Sequence, residues 1–457
     1  MLDEPGMTRV LHTAMRKVNG GADTGVSACT TEGAGLMSWS SQAIREASRV
    51  GDYGKVVKLA RAIRRVSQKQ LGEACGTSQS AVSRLEKRGA DSYDTAQLAR
   101  AAQHLQIPPH LVGLADHTAA LAVKAEGTDV ERRNFLAGAA AVAAAPAFAA
   151  FPATRAQPAD GGQAATLRVA TSAFRRMDGS TASRLLVEPV LAHLRFAQGL
   201  ASEAETKEQR VRLAAVGSEV AGLAAWLSWD MGDYGSARTW YGSAVKAARS
   251  AANPLLTAYQ VGSLAQFEAH AGNASQALDL CRAARKQLGA GRPHIADAWL
   301  SSVEALAHAA ARDEAAADAA LTAAARSAEK ITDDESPPWP WVFTFNDNKV
   351  AACRVSCGAR LGIPRWVSGA QDSAGAVMTA GHEKQRALLA LDVASGHLAG
   401  GRLDAAFGLG SRALEIGLRY KSGRIVERAR ALRRGYTSAT PAKIVRDFDE
   451  RLYGVFL

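Results

Sequence analysis

The sequence lacks the features that identify most secreted domains and most enzymes. It has five cysteines, and their odd number and irregular spacing argue against a disulfide framework and for a reducing cytoplasm. Cys353 and Cys357 would share one helix face, but a metal site would need further ligands nearby, so we expect both to be small buried residues. No acid, base and nucleophile can be combined into a catalytic set. We therefore predict no enzymatic activity, no catalytic residue, no metal site and no cofactor.

Long strongly apolar runs are also missing. An Ala-rich stretch follows Arg132-Arg133-Asn-Phe-Leu136, but Pro146 interrupts it and it is shorter than the ~20 residues that a membrane helix needs. The segment resembles a twin-arginine export signal, which must lie near a free N-terminus, whereas this one follows an apparent folded domain. We therefore expect an interdomain linker and no integral membrane segment. The alternative, an exported enzyme, would be cleaved near residue 150.

The length and the net charge of the chain indicate how many domains it has and what kind of partner it binds. At 457 residues the chain is too long for one core, and its net charge of +11 suits a nucleic-acid partner. Residues 1–45 are rich in Gly, Thr and Ser without periodicity, which predicts a disordered leader. A basic cluster near the C-terminus is expected to be a solvated helix face; its members are Arg419, Lys421, Arg424, Arg428, Arg430, Arg433 and Arg434.

The segment between residues 67 and 88 has the most informative pattern. Two groups of apolar residues at helical spacing, separated by a break, predict two short helices. Ser67 and Ser78 suit the N-caps of these helices, and Gly76 suits the left-handed residue that ends the first. The apolar residues are Leu71, Ala74, Cys75, Ala81, Val82 and Leu85. The segment therefore predicts a helix-turn-helix.

The second helix of this pair has a polar side away from its apolar stripe. A recognition helix reaches base edges with its N-terminal residues, and Gln and Arg can each form two hydrogen bonds to a purine. Gln68 opens the first helix, where it could hold a phosphate, and Lys87 would add a sequence-independent contact. The predicted DNA-binding residues are Gln68, Ser78, Gln79, Ser80, Ser83, Arg84 and Lys87.

Flanking helices over 54–66 and 94–106 and a short one after Pro108 complete a small bundle within residues 46–118. Residues 54–115 resemble a lambda-repressor-type helix-turn-helix domain of the XRE family, on the pattern Ser67-Gln68…Leu71…Gly76…Ser78-Gln79-Ser80…Val82-Ser83…Leu85-Glu86. The resemblance implies that Gln68 contacts phosphate and that Gln79, Ser80, Ser83 and Arg84 face bases. Cys75 and the Pro-free loop of residues 88–93 depart from the family pattern. An ordinary helical hairpin is the alternative.

An internal repeat fills the C-terminal part, residues 165–457, after an Ala-rich linker over 119–164. The pattern Gly232-Asp-Tyr234…Ala237…Tyr241…Ala244 recurs forty residues later from Gly272 and again from Arg312. A poor copy begins at Gly362 and a better one at Gly401. The pattern resembles tetratricopeptide repeats, in which a turn glycine is followed by small residues where two helices touch. It predicts a TPR-like α-solenoid with a concave binding surface.

One aromatic segment interrupts the repeats. Alternate residues of an extended segment lie on one side, so its four aromatic residues could form a pocket wall, and two asparagines could hold a peptide backbone. The candidate ligand-binding residues are Trp339, Trp341, Phe343, Phe345, Asn346 and Asn348. A structural plug between repeats is the simpler interpretation of this segment.

The predicted fold class is all-α, with a five-helix lambda-repressor-like domain followed by a TPR-like α-solenoid. The whole chain resembles actinobacterial regulators that join an XRE-family helix-turn-helix to such repeats. That resemblance implies a homodimeric, cytoplasmic, nucleoid-associated transcription regulator of double-stranded DNA, with a peptide or small-molecule effector or a protein partner on the repeat domain. Two alternatives stay open: a scaffold or signalling adaptor whose helix-turn-helix binds protein, and the antitoxin of a toxin pair.

Overall fold

The computed structural model describes residues 39, 41–91, 93–114, 162–332, 345–375, 382–453 and 455. Every regular element within these ranges is a helix, which confirms the predicted all-α fold class. The predicted leader up to residue 38 and the Ala-rich linker over residues 115–161, which includes Arg132 and Arg133, lie outside the described residues.

Five α-helices and one 3-10 helix form the N-terminal domain. They are α1 Gln42–Val50, α2 Tyr53–Ile63, α3 Gln68–Ala74, α4 Gln79–Glu86, α5 Thr95–His104 and the 3-10 helix Pro109–Val112. Helix α1 was not predicted, and the predicted domain boundary between residues 45 and 46 falls inside it. It forms because the Ser41 hydroxyl caps it by accepting a hydrogen bond from the Ile44 backbone N–H, and because Ile44 and Ala47 are buried.

The helix-turn-helix pair has the predicted caps. The hydroxyls of Ser67 and Ser78 accept hydrogen bonds from the backbone N–H groups of Gln70 and Ala81, and the Gln70 side chain completes a capping box at Ser67. Gly76 has φ +66° in the turn. Ile63, the last residue of α2, is half exposed.

Buried apolar residues from all the helices of this domain form one core. Each such Val or Leu side chain stabilises the fold by about 1.5–3 kcal/mol relative to exposure to water. Cys75 belongs to this core, as a small apolar residue does. Its members include Ile44, Val56, Val57, Leu71, Val82, Leu85, Leu98, Leu105 and Val112.

Fourteen helices form the described part of the repeat domain. The first seven are α6 Gln163–Asp178, α7 Ser183–Glu203, α8 Lys207–Asp230, α9 Tyr234–Ser250, α10 Pro254–Ala271, α11 Ala274–Leu288 and α12 His294–Ala310. The other seven are α13 Glu314–Ala328, α14 Asp347–Leu361, α15 Pro364–Gly375, α16 Glu383–Ala399, α17 Leu403–Arg419, α18 Gly423–Arg434 and α19 Lys443–Leu452. Consecutive helices pack as antiparallel pairs, which is the TPR-like arrangement that the sequence predicts.

The repeated turn residue has the same backbone conformation in every copy. Gly232, Gly272, Arg312, Gly362 and Gly401 all have φ between +66° and +96°, each just after the first helix of a pair. Only glycine adopts this left-handed region without strain, so the backbone at Arg312 is strained. The small residues that follow each turn are buried between the paired helices: Ala237, Ala244, Ala277, Ala284, Ala317, Ala324, Val367, Ala374, Ala406 and Ala413.

A buried polar network joins the first helices of the array to the last. Lys384 Nζ, at the start of α16, lies 2.6 Å from Asp178 Oδ1 and 3.1 Å from Asp230 Oδ2. The Ser422 hydroxyl, just ahead of α18, donates to Asp230 Oδ1 at 2.7 Å. We call these four residues the closing network. It connects α6 and α8 to α16 and α18, and so it closes the array on itself around a central cavity.

Among the described helices, α8 is long and apolar enough to cross a membrane. However, 72% of its most apolar window is buried inside the fold, against α7 and α9 on either side. Its composition is therefore that of a core helix.

Candidate nucleic-acid interface and central cavity

Helix α4, which the sequence predicts to be a recognition helix, presents its polar side outward. Gln79, Ser80 and Arg84 are exposed and Ser83 is half-buried, whereas Val82 and Leu85 on the opposite side are buried in the domain core. The predicted division of this helix into a core side and an outer side is thus present in the structure. The outer side has the donors and acceptors that can contact base edges.

The other predicted DNA-contact residues surround this helix. Lys87 is exposed just after it, and Ser78 precedes it with a hydroxyl 2.9 Å from that of Ser80. Gln68 is half-buried at the start of α3, where a phosphate would meet the free N–H groups of the helix. The seven predicted residues therefore lie together at the exposed N-terminal parts of α3 and α4 and at the end of α4.

Glu86 fixes the position of helix α4. Its carboxylate is buried and accepts hydrogen bonds from Arg61 Nε at 2.6 Å and from Gln68 Nε2 at 2.7 Å. Arg61 also donates to the Val66 carbonyl at 2.8 Å. One carboxylate therefore joins α2, α3 and α4. The sequence pattern places Glu86 only within the family resemblance and does not reveal this role, because Arg61 and Gln68 lie 25 and 18 residues away in the sequence.

The loop before α5, which the sequence left undefined, is held by Tyr93. Its hydroxyl accepts from the Gly54 N–H at 2.9 Å and also bonds the Gly89 carbonyl, so it ties both ends of the loop to the start of α2. Burial raises the pKa of Tyr93 to about 12. The hydroxyl therefore stays protonated and available for both bonds at neutral pH.

The N-terminal domain is attached to the repeats through α1. The guanidinium of Arg238, on α9, donates to the Arg49 carbonyl at 2.5 Å and pairs with Glu268 at 2.7 Å. Asn273 donates to the Val50 carbonyl at 3.3 Å. These bonds satisfy the last carbonyls of α1, which a helix leaves without partners of its own. We call Arg238, Glu268 and Asn273 the α1 clamp.

A second attachment lies at the end of the 3-10 helix. The backbone of Gly113 approaches Gly235 so closely that a Cβ on Gly235 would lie 2.4 Å from the Gly113 Cα. Glycine at residue 235 is therefore required for this contact between the domain and α9.

A central cavity of about 510 Å³ lies between the first helices of the repeat pairs. Aromatic rings lie in its wall, and Tyr259 and Trp299 stack there at 5.6 Å between ring centroids. The aromatic lining residues are Trp226, Tyr241, Tyr259, Trp299 and Phe345, and the charged ones are Arg175, Asp178, Lys349, Asp392, Arg424 and Arg428.

The predicted ligand-binding residues reach this cavity only in part. Phe345 lines it. The Asn346 side chain caps α14 by accepting from the Lys349 N–H at 3.1 Å, and Asn348 is half-buried within that helix. Trp339, Trp341 and Phe343 lie outside the described residues.

The basic cluster near the C-terminus was predicted to be a solvated helix face, and this prediction is wrong for part of the cluster. Arg424 and Arg428 line the central cavity, and Arg428 Nη1 lies 2.9 Å from Asp392 Oδ1. Arg433 pairs with Asp449 at 2.6 Å. The prediction failed because the first and last repeats come together only in the closed array, which no local periodicity reveals.

Within the described part of the chain, no group of three or more His, Cys, Asp and Glu side chains is arranged to hold a metal ion. Cys353 and Cys357 are buried on α14 as small residues, as predicted. The pKa of His270 is lowered well below its ordinary value by burial and by the nearby Arg360 and Arg428. This imidazole at the cavity wall is therefore neutral at pH 7.

No protein-family model and no curated protein matches the chain. Among solved structures, BtubC (BKLC) from P. vanneervenii is similar with a TM-score of 0.36 and 16% identity, over 58% of this chain and 97% of that one. PlcR from Bacillus thuringiensis, solved in complex with the peptide PapR7 and DNA, is similar with a TM-score of 0.31 and 16% identity, over 71% of this chain and 92% of that one. These TM-scores are too low for either similarity to support a functional argument.

Proposed function

We propose that this chain is a sequence-specific DNA-binding transcription regulator of the XRE type, of the kind found in actinobacteria. The observation that carries the proposal is the position of Gln79, Ser80 and Arg84. They are exposed together on a capped helix whose other side is packed in the domain core. This arrangement suits insertion of α4 into a major groove, with the N-terminus of α3 at the phosphate backbone.

The proposal includes a homodimer and a location on the nucleoid in the cytoplasm. A single module of this size buries only ~600–1,000 Å² on DNA, so two modules acting together reach the affinity that specific control requires. The half-sites would be ~34 Å apart, one helical turn of DNA. The repeat domain would sense an effector or mediate dimerisation. The proposal assigns no catalytic activity to the chain.

The deciding experiment is selection of fragments of the source genome by the purified full-length protein, followed by sequencing. Among the selected fragments we expect a repeated motif with two-fold symmetry. We expect this motif to disappear when the protein is a variant with Gln79, Ser80 and Arg84 all changed to Ala. A Lys246→Ala variant is the control, because Lys246 is exposed on α9 of the repeat domain. If the wild-type protein enriches no DNA sequence, the adaptor alternative, in which the helix-turn-helix binds protein, is favoured.

A further inference from the structure

The central cavity has the size and the lining of a small-molecule site. Its volume of about 510 Å³ falls within the ~300–1,000 Å³ typical of ligand pockets. Such pockets combine apolar and aromatic walls with a few polar groups that fix orientation, as this lining does. The chemistry of the ligand then depends on which polar groups are already engaged within the fold.

The acidic groups of the lining are engaged by neighbouring cations. Asp178 accepts from Lys384 Nζ at 2.6 Å and from Trp226 Nε1 at 2.7 Å. Asp392 lies 2.9 Å from Arg428 and accepts from the Ser356 hydroxyl at 2.6 Å. Both carboxylates are therefore neutralised by the fold itself, and neither offers free negative charge to a ligand.

The guanidinium of Arg424, by contrast, is not neutralised by an acidic partner among the described residues. It lies over the rings of Trp229 and Trp226, at 3.7 Å and 4.8 Å from the ring centroids. It forms no ion pair and no hydrogen bond with any residue in the described ranges. The nearby Asp230 carboxylate is already held by Lys384 and Ser422. Stacking fixes the plane of the guanidinium and leaves its N–H donors for another acceptor.

A second cation, Lys349, adds positive charge to the same cavity. Burial lowers the pKa values of both Lys349 and Arg424, which reflects the cost of keeping positive charge away from water. An anion that entered the cavity would offset this cost. The aromatic wall formed by Tyr259, Trp299 and Phe345 offers a flat apolar surface beside the charge.

We propose that the central cavity binds an aryl carboxylate, whose carboxylate pairs with Arg424 and whose ring lies against the wall of Tyr259, Trp299 and Phe345. A planar guanidinium matches a carboxylate through two parallel hydrogen bonds. This inference deepens the proposed function, and rests on it for the role of the ligand as an effector. Binding itself is independent of DNA.

The test uses 2-naphthoate as the probe and 2-naphthamide as its neutral analogue of the same shape. Both are titrated into the full-length protein without DNA, by calorimetry and by quenching of tryptophan fluorescence, since Trp226 and Trp299 line the cavity. We expect the wild-type protein to bind the carboxylate at least about tenfold more tightly than the amide. The Arg424→Gln variant should bind both equally, and Arg424→Lys should keep part of the preference.

Arg412→Gln is the matched control, because Arg412 is exposed on α17 and should leave the preference unchanged. Circular dichroism melting curves establish that each variant is folded, and Arg424→Lys serves if Arg424→Gln is not. The proposal is overturned if the wild-type protein binds neither probe at millimolar concentration, or binds both equally, or if the folded Arg424 variants keep the full preference. Loss of operator binding in the genomic selection would contradict the proposed function alone.

Discussion

The Arg238 guanidinium donates to the backbone carbonyl of Arg49 at 2.5 Å, across 189 residues of sequence. This bond joins the last turn of α1 to the second helix of a repeat pair. The same guanidinium pairs with the buried carboxylate of Glu268 on α10, whose neighbouring residues Gln266 and His270 line the central cavity. One end of α10 therefore contacts both the attachment of the N-terminal domain and the proposed ligand site.

The α1 clamp leads to a prediction about stability. Arg238→Ala leaves the Glu268 carboxylate buried without its ion-pair partner, so we expect the free energy of unfolding to fall by about 3–5 kcal/mol. Adding Glu268→Gln should recover part of the loss, because it removes the buried charge. Urea denaturation measures both effects, and Arg249→Ala on the exposed side of α9 is the control. Equal stability of Arg238→Ala and the control would contradict the role of the clamp.

The Glu86 carboxylate should control both the stability of the N-terminal domain and DNA binding. Glu86→Ala leaves Arg61 and Gln68 without their shared acceptor, so we expect a loss of stability of about 3 kcal/mol together with weaker operator binding. Thermal melting and a mobility-shift titration measure the two effects. Glu73→Ala removes an exposed carboxylate from α3 and should change the stability by less than about 1 kcal/mol.

Two single variants should distinguish the effect of losing a base contact from the effect of losing a phosphate contact. Arg84→Ala should cost about 1–3 kcal/mol on the selected operator and relax the preference at one base position. Lys87→Ala should weaken binding to all sequences alike and lower the slope of log affinity against log salt by about 1. Titrations of operator and scrambled DNA over a range of salt concentrations distinguish these outcomes. If neither variant alters DNA binding, α4 is not the helix that contacts the bases.

Stability should depend on pH through His193. This buried imidazole has its pKa lowered to about 4 by desolvation, and its Nε2 lies 3.0 Å from the Thr171 hydroxyl. Between the ordinary value of about 6.5 and about 4, the unfolded chain binds a proton that the folded chain does not. The free energy of unfolding therefore falls as the pH falls through this window, by up to about 3 kcal/mol.

The measurement is urea denaturation at a series of pH values from 7 to 4. His193→Gln should flatten the dependence, because glutamine does not titrate. The exposed His104 provides the control, since His104→Gln should leave the wild-type slope in place. A wild-type slope in the His193→Gln variant would show that other groups cause the acid sensitivity.

The closing network should keep the repeat array closed. Lys384→Met leaves Asp178 and Asp230 buried without their cation, so we expect a loss of about 3–5 kcal/mol and a larger radius of gyration by small-angle X-ray scattering. Changing both aspartates to Asn in that background should restore part of the stability. Lys443→Met, at an exposed residue of α19, should change neither quantity. A Lys384→Met variant with unchanged dimensions would mean that apolar packing alone closes the array.

The sequence predicted the local features of the fold because their causes are local. The caps at Ser67 and Ser78 and the repeated left-handed turn from Gly232 to Gly401 each depend on a few neighbouring residues. The outer side of α4 followed from the spacing of Val82 and Leu85. These are patterns that helix geometry imposes on any sequence.

Features that depend on distant partners were missed. Helix α1 has only a short apolar face, and its carbonyl partners come from Arg238 and Asn273, about 190 to 220 residues later. The cavity role of Arg424 requires Trp226 and Trp229 from a helix near the other end of the array. An arginine-rich helix has the same periodicity whether it faces water or a cavity, so the sequence pattern alone could not distinguish the two.

The closing network also imposes an order on folding during synthesis. Asp178 and Asp230 emerge from the ribosome long before Lys384 and Ser422, so the early helices are complete while the counter-charge for these two carboxylates has not yet been translated. Domains and repeats generally fold as the N-terminal part becomes available. The helix-turn-helix domain and the α1 clamp can therefore form on the nascent chain. The walls of the central cavity, in contrast, meet only in the last stage of translation.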